Sequence, residues 1–492
     1  MSRVVAISNR VSVPRGVAAP GGLAVGVLAA MHAHGGAWLG WSGQVAQAHG
    51  ELRHTRRQGL TFHTFDLTRS EYEEYYLGFS NAVLWPLFHS LLGAFHYRAS
   101  NYESWLTVNR RFAELTAQVL LPGDVVWVHD YQLLALGSYL RSQGVSRPIG
   151  FFLHIPFPGF EVLRALPVFG ELLAALLAYD LLGFQTRNDL RCFQAAAAAV
   201  WGAQAVESDG VRVGGRRVAT GVFPIGVDVE GIARTAASAQ ATEACRRMTA
   251  GLSGRRLVIG VDRLDYSKGL VERFRAYEHF LASYPEHRGS VTFVQVAPLT
   301  RTDVGDYEVI RRALEQAAGR TNGRFADADW TPIRYLNRNI PHATLMGYLR
   351  TARVALVTPV RDGMNLVAKE FVAAQDPADP GALVLSCLAG AARELTAALQ
   401  VNPYDEEAVA DALQTALGLP LPERRERHEA MLAALRAHDI HGWHRDFIEQ
   451  LLAVARRPGG PAVMPNLTPA PPGPANDAAM GAPRGRGVLK GC

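Results

Sequence analysis

Two short stretches concentrate the residue types that could handle a charged ligand. Residues 258–261 form an apolar, strand-like run, and directly beyond it comes Asp262-Arg263-Leu264-Asp265-Tyr266-Ser267-Lys268-Gly269. Two cations five positions apart at a strand's carboxyl end sit where open parallel sheets bind ligands. Arginine offers a planar fork and lysine a point charge, a pairing that suits a diphosphate. The competing reading is internal pairing of both cations with Asp262 and Asp265. The second stretch, Arg361-Asp362-Gly363-Met364-Asn365-Leu366-Val367-Ala368-Lys369-Glu370, follows the strand-like residues 354–359. A glycine-bearing loop entering a helix can hold an anionic or hydroxylated ligand on its amides, with Asp362 and Glu370 bracketing it. A charged cap on a solvated helix face would give the same spacing.

Other groups fall at comparable places. Arg10 closes the first apolar run, Asp130 closes residues 125–128, His154 closes residues 149–153, and Arg301 follows residues 291–296. Each alone is as well explained by structural pairing. Pro20-Gly21-Gly22-Leu23 puts two glycines at a strand-to-helix turn, where the backbone can approach a ligand closely. Tyr75, Tyr76, Phe79 and Trp85 mix with Glu74, Ser80 and Asn81, a blend that suits stacking on a sugar ring but also an ordinary core. His438, His441 and His444 share a three-residue spacing, yet no Cys or acidic partner completes a ligand pattern. They read as the start of a polar helix, and no metal site is expected.

These groups need a scaffold of 492 residues, more than one ordinary core accommodates. Short β-branched runs alternate with longer amphipathic stretches, which predicts an α/β fold with parallel sheets. Strands are expected at residues 4–7, 125–128, 149–153, 181–184, 218–223, 257–261, 291–296, 354–357 and 383–385. Several are apolar throughout, as in sheets covered on both faces. The pattern resets at residues 228–256. The expected organisation is therefore an N-terminal Rossmann-like domain over 1–235, a C-terminal one over 236–456, and a disordered Pro/Gly-rich tail over 457–492. Residues 458–483 hold eight of the 27 prolines and little that could build a core. Fifty Lys and Arg against 45 Asp and Glu give +5, without a dense basic stripe, so nucleic acid is not expected as a partner. No apolar stretch is long enough for a bilayer, so no membrane partner is expected either. Four scattered cysteines read as reduced thiols, and the opening MSRVVAISNR has no secretory pattern; both predict a cytoplasmic protein.

The stretches SNR, GGLA, GWSG, EYYLGFSNAVLWP, VHDYQLL, GFFLHIPFP, YDLLGFQT, RLDYSKGL, TRTDV and RDGMNLVAKEFVAAQDP, in this order over residues 1–455, resemble the trehalose-6-phosphate synthase family. That family comprises retaining nucleotide-sugar glucosyltransferases with two Rossmann-like domains facing a central cleft, the GT-B arrangement. The resemblance implies a nucleotide-glucose donor, UDP-glucose first, and glucose 6-phosphate as acceptor. It places Arg10, Trp41, Tyr76, Trp85, Asp130 and Arg301 around the acceptor. It places Gly21, Gly22, Arg263, Lys268, Ile340, Asp362 and the segment Leu366, Val367, Ala368, Lys369, Glu370 around the donor. His154 would face the donor glucose and join Arg263, Lys268 and Asp362 as the catalytic group, with no cofactor. Two places depart from the family pattern: NRNIPH around Ile340, and Leu299-Thr300 before Arg301. The rival readings are a same-family enzyme acting on glycerol 3-phosphate and a non-catalytic sugar-phosphate sensor. Oligomeric state, a homo-oligomer included, stays open.

Overall fold

The computed structural model describes residues 3–11, 13, 22–298 and 305–456. Its chain builds two sheets. The first holds β1 (Val4–Arg10), β2 (Gly36–Ala46), β3 (Arg53–Arg57), β4 (Leu60–Thr68), β5 (Val125–His129), β6 (Ile149–Phe152), β7 (Leu181–Phe184), β8 (Val206–Glu207), β9 (Gly210–Val213) and β10 (Arg216–Val222). They are ordered β3-β4-β2-β1-β5-β6-β7-β10-β9-β8. The central pairs are parallel, and only the edge pairs β3–β4, β9–β10 and β8–β9 are antiparallel. The second sheet holds β11 (Arg256–Val261), β12 (Val291–Val296), β13 (Ile333–Leu336), β14 (Val354–Val357), β15 (Ala382–Ser386) and β16 (Leu399–Val401). It is parallel throughout, in the order β13-β12-β11-β14-β15-β16.

The α/β class and the parallel sheets agree with the sequence reading, and all nine expected strands form. Central strands such as β5, β7, β12 and β14 are buried at every residue, because helices cover both faces. The strands that periodicity did not announce are the long inner strands β2 and β4 and the short or edge strands β3, β8, β9, β13 and β16. β3 reads Arg-His-Thr-Arg-Arg and is almost wholly exposed, while β2 carries three glycines. Residues 72–84 wind as a π-helix, Tyr72–Leu84, which runs directly into the helix Trp85–Phe88. Single π turns are common near sites, whereas a run of this length is rare.

Two crossings tie the lobes together. After β10 the chain enters the helix Val229–Gln240, which packs on the second-lobe helices His342–Thr351 and Leu366–Ala374. Residues 235 and 236, the expected division, lie inside that helix. The last helix, Ile440–Ala455, returns to the first lobe. Trp443 lies 4.9 Å from Trp127 of β5, and Phe447 stacks 5.0 Å from the same ring. Ile440, Phe447, Ile448 and Leu451 are buried there, each worth roughly 1.5–3 kcal/mol. Among the described residues no helix is long and apolar enough to cross a membrane.

Candidate active site

In an open parallel sheet, ligands bind beyond the carboxyl ends where strand order reverses. In the second sheet that point lies between β11 and β14, and in the first between β1 and β5. Arg263 and Lys268 follow β11, and Asp362 follows β14. Arg10 ends β1, and Asp130 follows β5. The predicted groups thus flank both switch points.

On the second lobe, Lys268 Nζ donates to Asp362 Oδ2 at 2.5 Å. Asn365 Nδ2 donates to the same oxygen at 3.1 Å, while Asn365 Oδ1 caps the helix Leu366–Ala374 by accepting the Ala368 N–H at 3.1 Å. Burial pushes the Asp362 carboxyl up, but Lys268, His89 and Asn365 outweigh it and hold the group below its ordinary value. Asp362 is therefore an anion that fixes the lysine. Asp262 does not take Arg263. It is buried and binds Arg273 Nη1 at 2.6 Å, and Arg273 in turn reaches Thr358 Oγ1 at 3.0 Å and the Lys268 carbonyl at 3.3 Å. Arg263 stays exposed, with Cζ 5.7 Å from the Trp85 ring of the other lobe. So the competing reading of internal pairing holds for Lys268, through Asp362 rather than through either nearby aspartate, and Arg263 keeps its guanidinium toward the cleft.

The helix Leu366–Ala374 separates its residues by function. Leu366, Val367 and Ala368 form its first turn, where backbone amides and the helix dipole favour an anion. The Lys369 side chain points elsewhere: it is fully buried, and its Nζ donates to the Ile225 carbonyl and to Glu394 Oε1, both at 2.7 Å. A donor contact by the Lys369 ammonium is thereby ruled out, and only its backbone remains at the helix start. Glu370 lies 3.8 Å from His342 Nε2, at ion-pair distance, and this carboxylate is the neighbour that raises the His342 pKa. Ile340, two residues before His342, is partly buried against the core.

On the first lobe, Trp41 is buried at the end of an aromatic row, with Tyr72 at 5.8 Å and Tyr76 at 5.3 Å, and Arg10 Cζ lies 5.9 Å from its ring. The π-helix supplies both tyrosines. Tyr75 beside them turns inward, donating to Asn9 Oδ1 at 2.7 Å. Asp130 has φ 77°, one of five non-glycine residues among those described with positive φ; Asn365, at φ 76°, is another. Such backbone costs of order 1–3 kcal/mol and persists where the surroundings over-determine it. Asp130 Oδ1 accepts the backbone N–H of His154 at 3.2 Å, locking two strand ends together. Gly22 opens the helix Gly22–His34. Gly21 and Arg301 lie outside the described residues.

The lobes meet around these groups. Trp85 Nε1 donates to Asp265 Oδ1 across the cleft at 3.3 Å. Gly363 abuts His154: a Cβ built on the glycine would lie 2.2 Å from the His154 carbonyl oxygen. His89, buried and bonded through Nδ1 to the Trp85 carbonyl at 2.7 Å, has its pKa lowered to about 4 by burial, with Lys268 acting in the same direction against Asp265 and Asp362. His89 and His129 escaped the sequence reading, and Asp265 and Asn365, though inside the two stretches singled out, were not read as site residues. His129 and Asp265 sit inside the same strand-end segments as Asp130 and Lys268, a signal that could have found them. His89, four residues after Trp85 on a helical run, gave none. His441 and His444 lie 5.8 Å apart on the last helix. Among the described residues no group of three His, Cys, Asp or Glu is arranged to hold a metal.

Two mainly parallel sheets, each opening at its switch point onto a shared cleft with an aromatic wall opposite a cationic one, have the architecture of the GT-B class of sugar transferases. The family model for glycosyltransferase family 20 matches residues 13–453, and the chain belongs to that family. It is 46% identical over 458 residues to the trehalose-6-phosphate synthase of Klebsiella pneumoniae subsp. pneumoniae, covering 93% of this chain and 96% of that one. A solved α,α-trehalose-phosphate synthase (UDP-forming) from Burkholderia xenovorans, in complex with glucose-6-phosphate, is 45% identical with a TM-score of 0.89, covering 92% of this chain and 100% of that one. An Escherichia coli structure bound with UDP-2-fluoro glucose is 45% identical with a TM-score of 0.87, covering 92% and 99%.

Proposed function

We propose that the chain transfers glucose from UDP-glucose to glucose 6-phosphate, giving α,α-trehalose 6-phosphate and UDP with the donor's α configuration retained. The observation that carries this reading is the set at the switch point of the second sheet: exposed Arg263 beside Trp85 of the first lobe, Lys268 held by Asp362, and the helix start at Leu366, with Gly363 of the same loop against His154. Relatives at 45% identity, described with glucose-6-phosphate and with UDP-2-fluoro glucose, supply the substrate identities. In this reading Arg10, Trp41, Tyr76, Trp85, Asp130 and Arg301 hold the acceptor. Gly21, Gly22, Arg263, Lys268, Asp362, the Ile340 backbone and residues 366–370 hold the donor.

Retention through a carboxylate nucleophile would need an acid free to attack the sugar. Asp362 is committed to Lys268 and Asn365, so a front-face route fits better. The bond from glucosyl C1 to the diphosphate oxygen breaks while C1 bonds to the acceptor hydroxyl oxygen. That hydroxyl proton passes to the departing phosphate. Arg263, Lys268 and the helix amides stabilise the charge that develops there. Holding both substrates in one closed cleft supplies the remaining advantage. A cytoplasmic location fits the free thiols Cys192, Cys245 and Cys387. The deciding experiment supplies UDP-, GDP- and ADP-glucose in turn with glucose 6-phosphate or glycerol 3-phosphate and identifies the product. Trehalose 6-phosphate from UDP-glucose and glucose 6-phosphate is expected; a glucosylglycerol phosphate as main product would refute the acceptor assignment.

A further inference from the structure

We infer that His129 is a positioning residue that decides which ring nitrogen of His154 carries the proton, making His154 a hydrogen-bond donor toward the sugar or phosphate oxygen bound in the cleft. The inference rests on the reading of that cleft as the transfer site.

His129 ends β5, and His154 lies just beyond β6, its parallel neighbour. Nδ1 of His129 is 3.2 Å from Nε2 of His154. His129 is fully buried, with the Trp127 ring at 4.4 Å and the Trp443 ring at 6.3 Å, and among the described residues its Nε2 has no hydrogen-bond partner. Neither imidazole is cationic near neutrality. Burial, reinforced by His154, holds His129 well below its ordinary value, and burial lowers His154 to about 3. Each ring then carries one proton, and only one of the two protons can lie between them.

Two arrangements satisfy that count. If His154 donates from Nε2, His129 must carry its own proton on Nε2, leaving a buried N–H among indole rings with nothing to accept it. A buried donor without a partner bears its full desolvation cost. If His129 donates from Nδ1 instead, both N–H groups are usable and only a bare acceptor nitrogen is left unmet, the defect that folded proteins tolerate more readily. The second arrangement prevails. His154 then holds its proton on Nδ1, the ring nitrogen left for a ligand. There it can give a hydrogen bond and cannot take one, so it cannot serve as the base that activates the acceptor hydroxyl. The front-face route needs no such base.

The test uses the full chain with ¹⁵N-labelled histidine, with the His154 signals assigned by their loss in His154→Gln. Nitrogen shifts should show His154 protonated at Nδ1 and bare at Nε2 in the free protein, and this pattern should be lost in His129→Leu. Kinetically, His129→Leu should lower kcat/KM for UDP-glucose by about 10-fold or more, the scale for groups that orient a ligand-contacting residue, with the glucose 6-phosphate KM little changed. His129→Asn keeps an N–H at the place of Nδ1 and should restore most of the loss. A wild-type His154 protonated at Nε2 would overturn the inference, and so would full activity in His129→Leu. If His129→Leu fails to fold, the wild-type spectrum and His129→Asn still decide. The spectrum of the free protein needs no turnover, so failure of the substrate assignment would be seen separately in the product assay.

Discussion

Two cations of one strand-end loop stand in opposite situations, and this predicts opposite mutational signatures. Arg263 is exposed, and its guanidinium lies 5.7 Å from the Trp85 ring of the other lobe. Arg263→Ala should leave the melting temperature nearly unchanged and cut turnover at least ~100-fold, the scale for loss of a preorganised charge stabiliser. Wild-type turnover in this variant would remove Arg263 from the leaving-group site. Lys268 is almost buried against Asp362. Lys268→Met strands that carboxylate, so activity and stability should fall together, the latter by about 3 kcal/mol in denaturant unfolding. An inactive variant with undiminished stability would mean that Asp362 finds another partner. The residue types and spacing made both cations visible in the sequence. Spacing could not tell which acid each one meets, because Asp362 lies 94 positions from Lys268 and only the fold brings the ends of β11 and β14 together.

The helix Leu366–Ala374 shows how one element divides binding from anchoring. Its first turn faces the cleft, while Lys369 reaches Ile225 in the crossing between lobes and Glu394 behind it. Lys369→Met should lower stability by about 3 kcal/mol through the unpaired Glu394, with the donor KM changing far less than a lost phosphate contact would require. A donor KM raised ~100-fold in a stable protein would restore the ammonium to the donor site. The apolar periodicity located this helix, but the buried side of a lysine depends on a carbonyl 144 positions away. The neighbouring helix His342–Thr351 carries a pH-sensitive contact to it. His342 has a raised folded pKa, so its pairing with Glu370 stabilises fully below the unfolded value of about 6.5 and is lost as pH rises through the higher folded value. The stability gap between wild type and His342→Gln should therefore be present near pH ~5.5 and close above neutrality, as read from melting curves across pH. A gap that widens with pH would reverse the assigned sign.

At the scale of the molecule, the lobes are joined by two covalent crossings and by contacts across the cleft, and each kind was legible to a different degree. The alternation of strands and helices announced two parallel sheets, since buried parallel strands are apolar at every position. The return of the last helix to the first lobe was hidden: an amphipathic stretch declares that it has a buried face but not which sheet it covers. Trp443 and Phe447 could have packed on either lobe by their sequence alone, yet they cover Trp127. Contacts across the cleft were the least legible, because they depend on backbone approach rather than on side-chain type. Gly363 is the sharpest case. A methyl group there would meet the His154 carbonyl oxygen at 2.2 Å and the Ile155 Cα at 3.0 Å, backbone atoms that cannot swing away. Relief requires the second lobe to withdraw from the first by roughly 1 Å, and misplacement on that scale can cost about 100-fold in rate. Gly363→Ala should therefore lower kcat by about that factor, while each sheet stays folded and the far-ultraviolet circular dichroism is unchanged. Donor binding should survive better than turnover, because the cations and the helix start all belong to the second lobe, whereas the acceptor wall and His154 would be carried out of reach. Titration of UDP by calorimetry, beside steady-state kinetics, separates the two. A variant with wild-type kcat would show that the close approach of Gly363 to His154 is not part of the working geometry of the cleft.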